Sequence, residues 1–136
     1  MKLPQEVIPA LQGIIPSTIA TCDSNGKPNV TILSQVFQVD EEHVALSHQF
    51  FTKTYTNIIN HRNVHIQIVD PNDLAPWLVR AQFEREETEG PIFDQMDMQL
   101  EAIASMSGMQ DIFKLQSALI CKVMHIEKLE AAQSPA

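Results

Sequence analysis

The chain has 136 residues, 44% of them hydrophobic and 19% charged, the balance of a folded protein with one modest core rather than a disordered chain. Its formal net charge of -8, with nine scattered cationic residues, disfavours nucleic acid and anionic membranes as partners, because both are bound mainly through clustered Lys and Arg. Two cysteines without CxxC spacing, Cys22 and Cys121, suggest no disulfide framework and fit a reduced, cytoplasmic protein, while Pro4, Glu6, Pro9 and Pro16 interrupt any leader-like run.

Residues 4–11 predict a short helix with Val7, Ile8 and Leu11 on one side. Residues 14–21 are β-rich, Asp23-Ser24-Asn25-Gly26 carries the Asn-Gly tight-turn signal, and residues 28–37 are β-rich again. In this second run Val30, Ile32 and Ser34 alternate with Thr31, Leu33 and Gln35, so the two runs predict a hairpin. Asp40-Glu41-Glu42 predicts a turn and residues 43–48 a third strand. A short helix is expected from Thr52, its N-cap, to about Asn60. Residues 63–69 predict a fourth strand, with Val64, Ile66 and Ile68 alternating with His65, Gln67 and Val69, and residues 70–73 the turn that closes it. A fifth strand covers 77–85. Gly90-Pro91 opens a helix in which Ile92, Met96, Leu100 and Ile103 recur at helical spacing, and Ser107-Gly108 ends it. Residues 117–127 form the last strand. The tail 131–136 reads as disordered, leaving one domain over 1–130. Six strands joined mostly by hairpin-type turns predict a mainly β, antiparallel sheet or barrel with short flanking helices.

The segment richest in chemistry is Gln49-Phe50-Phe51-Thr52-Lys53-Thr54-Tyr55-Thr56-Asn57, where a strand gives way to a helix. A helix start presents unpaired N–H groups and the positive end of the dipole, which attract anions. Lys53 adds a charge, and Thr52 and Thr54 add hydroxyl donors suited to a phosphate. By itself, Thr-Lys-Thr at a helix start is also an ordinary capped, solvated turn.

The order of elements adds to this. Thr21-Cys22-Asp23-Ser24-Asn25-Gly26-Lys27-Pro28-Asn29-Val30-Thr31 resembles the "A-T-x-D-x-x-G-x-P-x-V" hairpin of the pyridoxamine-phosphate-oxidase-like FMN-binding split-barrel family. Phe51-Thr52-Lys53-Thr54 occupies the place of that family's Ser/Thr-Lys helix start. Residues 57–64 look like its "N-x-x-x-N-P-x-V" passage, with Arg62 where Pro is common. Residues 78–84 look like its "V-x-G-x-A" strand, with Ala81 in place of Gly. The resemblance covers the chain to about Glu127. It implies a six-stranded antiparallel split β-barrel holding FMN in the inter-subunit cleft of a homodimer. Carried over by position, Lys53 and Thr52, with Thr54 beside them, would contact the FMN phosphate. Asn29, Val30 and Thr31 would lie along the flavin ring, and Ser47 and His48 would approach the ribityl or phosphate region. Thr52 stands where close relatives of the oxidase carry a second cation.

The resemblance implies an FMN-dependent oxidoreductase or flavin reductase acting on a small redox substrate. The alternatives are a non-catalytic flavin or haem binding or redox-sensing module, and a barrel without cofactor. Pyridoxamine phosphate itself is not the expected substrate. The oxidase holds it partly through a C-terminal Trp and Arg-Leu-x-Pro, whereas beyond Arg85 this sequence carries only Lys114, Lys122 and Lys128 as cations. His61 and His65 are four apart, but the predicted change from helix to strand near Asn63 separates them, and no metal site is expected. His43, His48 and His125 read as surface or hydrogen-bonded histidines rather than catalytic bases. Met96, Met98, Met106 and Met109 read as adaptable packing or as a soft cover over a flat ligand. Trp77 reads as a packing residue, and Glu84, Glu86, Glu87 and Glu89 as a solvated acidic run.

Overall fold

A computed structural model describes residues 1–12, 15–33, 35–49, 53–106, 108 and 114–129. The expected disordered tail 131–136 and the expected N-cap Thr52 lie outside them. Seven strands form one sheet: β1 Ser17–Cys22, β2 Pro28–Leu33, β3 Val36–Gln38, β4 His43–His48, β5 Asn63–Val69, β6 Pro76–Glu87 and β7 Ser117–Lys128. Their order is β2-β1-β5-β6-β7-β4-β3, and every neighbouring pair is antiparallel. Two α-helices, α1 Lys53–His61 and α2 Pro91–Met106, and a 3₁₀ helix at Gln5–Gln12 pack around the sheet. The N-terminal helix is 3₁₀ rather than α, in keeping with Pro9 inside it, which has no N–H to donate.

The seventh strand arises because the run 28–37 is two strands. β2 pairs with β1 at one edge of the sheet, and β3 pairs with β4 at the other. Leu33 and Val36 are three positions apart, so chain length keeps these edges within about 11 Å at that corner. The sheet must therefore curl almost onto itself, the half-closed form of a split barrel. Gln35 marks the corner: its carbonyl accepts hydrogen bonds from the Ser47 N–H and Oγ, each at 3.3 Å. Register shifts between β6 and β7, at Arg80/Ala81 and Phe83/Arg85, add the local twist that such curling needs. The first falls at Ala81, the position where the resemblance expects Gly.

Inside the curl, alternate residues of each strand converge: Ile19 of β1, Val64, Ile66 and Ile68 of β5, Val79 and Phe83 of β6, and Leu119 and Val123 of β7. Val7 and Leu11 of the 3₁₀ helix join the same cluster. A second cluster forms where Met96, Leu100 and Ala104 of α2 are buried and Met96 and Leu100 meet Ala45, Ala118 and Ile120. β4 and the first half of β7 are thus buried on both faces, which explains their nearly continuous apolar sequence. Each such side chain contributes about 1.5–3 kcal/mol of burial.

The β1–β2 hairpin and the ends of α1 set up the functional region. Cys22 faces Pro28 in register, and the Asp23 N–H donates to the Lys27 carbonyl at 3.0 Å, leaving Ser24, Asn25 and Gly26 as the loop tip. Gly26 has φ 78°, the left-handed conformation that a three-residue hairpin loop requires at its last position. At its other end α1 stops at Arg62, whose N–H donates to the Ile58 carbonyl at 2.8 Å and whose φ is 66°. Proline cannot adopt that φ, so this turn differs from the family's "N-P" turn in more than one side chain.

Candidate functional site

α1 lies against β1 and β2, and a cleft of about 280 Å³ opens between them. The hairpin contributes Asp23, Lys27, Pro28 and Asn29, and the helix contributes Lys53, Thr56 and Asn57. Helical spacing puts 53, 56 and 57 on one side of α1, which is why one short helix supplies three lining residues.

Four side chains tie helix to hairpin. Asn29 Nδ2 donates to Thr54 Oγ1 at 2.8 Å, and Asn57 Nδ2 donates to Thr21 Oγ1 at 3.1 Å. Thr21 and Asn29 are register partners across the hairpin, and Thr54 and Asn57 are one turn apart on the helix. The four form a closed square that fixes how α1 docks. The opposite side of α1 is anchored by Tyr55. Its hydroxyl donates to Glu86 Oε1 at 2.7 Å, and its ring stacks on His48 with centroids 4.3 Å apart and planes 10° apart. The bond to Glu86 leads the causes that push the Tyr55 phenol above its usual range. His48 Nδ1 also lies 3.1 Å from Ser117 Oγ.

Of the residues singled out from sequence, Lys53 and Asn29 line the cleft. Thr54 stands behind it, buried under Asn29. Thr31 is half-buried on the Asn29 face of β2, whereas Val30 points the other way and is 64% exposed. Ser47 and His48 are buried and do not line the cleft; Ser47 serves the Gln35 corner, and His48 supports α1 through Tyr55. His61 ends α1 and His65 lies in β5, so the two share no helix face. Among the described residues no cluster of His, Cys, Asp and Glu is arranged to hold a metal. Sequence reasoning missed Asp23, Lys27, Pro28, Thr56 and Asn57 as lining residues. The only signal for the helical pair was their spacing from Lys53.

Chemically the cleft is lined by two ammonium groups, two carboxamides and a threonine hydroxyl, and Lys53 opens α1, the end of a helix that favours anions. One carboxylate, Asp23, sits among them. The N–H groups of Lys27 and Asn25 both donate to its Oδ1 at 2.9 Å and hold its ionisation below the ordinary 3.8. This donor set fits a phosphate group.

The family model described as pyridoxamine 5'-phosphate oxidase matches residues 3–121. The chain belongs to the pyridoxamine 5'-phosphate oxidase family. Among solved structures it is similar to an FMN-binding protein from Syntrophomonas wolfei subsp. wolfei, at 20% identity and a TM-score of 0.76, with 94% of this chain and 87% of that one covered. It is also similar to HupZ of Group A Streptococcus, at 19% identity and a TM-score of 0.69 over 98% of this chain and 100% of that one. A third is HutZ, the heme storage protein from Vibrio cholerae, at 17% identity and a TM-score of 0.61 over 94% and 95%. At these identities the structural likenesses establish the fold. No curated protein sequence matches the chain. Among the described residues no helix is long and apolar enough to cross a membrane.

Proposed function

We propose that this member of the pyridoxamine 5'-phosphate oxidase family binds FMN, with the phosphate in the cleft between the hairpin and α1, and acts as an FMN-dependent oxidoreductase or flavin reductase. The observation that carries the reading is the meeting of Lys53, at the start of α1, with the carboxamide-lined hairpin. Lys53 and Thr52 bind the phosphate in this reading, and Thr54 holds Asn29 in place behind it. Asn29 and Thr31, on one face of β2, follow the ring, while Ser47 and His48, expected near the ribityl chain, support the site from outside the cleft through the Gln35 corner and Tyr55. When bound, the flavin supplies the redox chemistry; the protein's residues bind and orient it.

The substrate in this reading is a small, weakly charged redox partner rather than pyridoxamine phosphate. A second dianion beside the first would lack a bidentate Arg partner and would meet a chain of net charge -8. The working form is a cytoplasmic homodimer. Val30 and Ile32, 64% and 70% exposed on the edge strand β2 beside the cleft, support burial against a second copy.

The test is reconstitution. Purified protein is incubated with FMN or with haem, desalted, and examined by absorption, then challenged with NADH or NADPH. Retained FMN that is reduced and reoxidised over many cycles supports the proposal. Retained haem with no retained FMN would overturn it in favour of a haem-binding module, and retained FMN without turnover would reduce it to a flavin carrier.

A further inference from the structure

Lys53 alone is a weak anchor for a phosphate in a chain of net charge -8, and Thr52 precedes it where the resemblance would place a second cation. The fold brings another cation from the opposite wall. Lys27, the residue that closes the hairpin loop, lines the same cleft as Lys53.

Its backbone is fixed on both sides. The Lys27 N–H donates to Asp23 Oδ1 at 2.9 Å, and its carbonyl accepts from the Asp23 N–H at 3.0 Å. The next residue is Pro28, whose ring restricts the conformation of Lys27 itself. Asp23 lines the cleft too, but its Oδ1 is already committed to two backbone donors. Among the described residues neither Lys27 nor Lys53 forms an ion pair, whereas Lys2, Lys128 and Arg85 are paired with carboxylates.

We infer that Lys27 is the second phosphate-binding cation of this cleft, supplied by the hairpin in place of one beside Lys53. The inference rests on the FMN reading above and deepens it. A phosphate monoester gripped from both walls ties the β1–β2 hairpin to α1. The dephosphorylated flavin, riboflavin, touches neither ammonium group, so Lys27 makes the site selective for the phosphorylated form.

The experiment compares the wild type, Lys27→Met and Lys2→Met by titration with FMN, riboflavin and inorganic phosphate, with circular dichroism as the check on folding. Lys2 is exposed and does not line the cleft, so its variant controls for the change in net charge. Lys27→Met is expected to weaken FMN by about tenfold or more, the effect of removing one charge-assisted hydrogen bond. It should leave riboflavin unchanged and flatten the dependence of FMN affinity on salt; Lys2→Met should leave both ligands unchanged. FMN affinity unchanged in Lys27→Met, or riboflavin lost in parallel with FMN, would overturn the role of Lys27 while leaving the flavin reading standing. A folded wild type that binds inorganic phosphate through Lys27 but not FMN would overturn the flavin reading alone, and one that binds neither would overturn both.

Discussion

Replacing Asn57 with alanine removes the amide that donates to Thr21 Oγ1 at 3.1 Å, one side of the square that docks α1 on the hairpin. Both residues are buried, Asn57 at 7% and Thr21 at 4% exposure, so water cannot take over the lost contact freely. A net hydrogen bond contributes about 0.5–1.5 kcal/mol, and stranding a buried polar partner costs about 1–3 kcal/mol. The Thr21 hydroxyl can rotate to relieve part of this, which sets the expected loss for Asn57→Ala at about 2 kcal/mol. For a chain of this length each kcal/mol lowers the midpoint by about 3–5 °C, hence a fall of roughly 6–10 °C. Thr21→Val removes the other partner with little change of shape. The double variant should then be about 1 kcal/mol more stable than the sum of the single losses implies, because neither partner is left stranded. Urea unfolding of the four proteins, with slopes compared to check that the transition stays two-state, measures this coupling. Losses that add to within about 0.3–0.5 kcal/mol would refute the square as the device that docks α1.

Four further outcomes follow from the same structure. Cys22 is exposed, whereas burial pushes the Cys121 thiol up to about 12. A thiol reagent near neutral pH should therefore label one cysteine in the native protein and the second only on unfolding, and two fast thiols would contradict the buried position of β7. The Cys121 value lies above its ordinary 9.0, so the stability linked to it is complete below pH 9.0 and declines as pH rises toward 12. Asp23 has the opposite sign: its backbone hydrogen bonds lower its ionisation, so the turn should keep its form down to pH 3.8 and loosen only below it. The amide resonances of Asn25 and Lys27 report that transition, and a midpoint above 3.8 would contradict the bonds. Lys53→Ala should weaken FMN by about 1.5–3 kcal/mol, the range for a hydrogen bond to a charged group, and an unchanged calorimetric titration would remove Lys53 from the site.

How much of this was legible in the sequence depended on the range of the interaction. The strands 43–48 and 63–69 were found with the bounds the structure gives, because a short apolar run between turn signals and a period-two alternation are both local signals. The break between β2 and β3 was not, since Ser34-Gln35 carries no Gly, Pro, Asn or Asp and the corner is set by β2 pairing back to β1 while β3 pairs forward to β4. Alternation likewise separated Val30 from Thr31, but only pairing with β1 and packing of α1 decide which of the two faces inward. Lys53 and Asn29 were found through the order of motifs. Lys27 and Asn57 were not, because their convergence needs α1 to dock on a hairpin about thirty residues earlier in the chain, through amide–hydroxyl contacts that leave no periodic trace. The bulge at Ala81 shows the converse. Ala81 stands where the family carries glycine, yet the register shift is there with a buried alanine.

The central claim is that a phosphate binds between the hairpin and the start of α1. Backbone amide shifts recorded while FMN, and separately riboflavin, is added to the labelled wild-type protein test it most directly. The account predicts that FMN shifts the amides of Lys27, Asn29, Lys53 and Asn57 together, and that riboflavin leaves Lys27 and Lys53 in place. Shifts confined to α2 or to the β3–β4 edge, with the hairpin and α1 undisturbed by FMN, would contradict it.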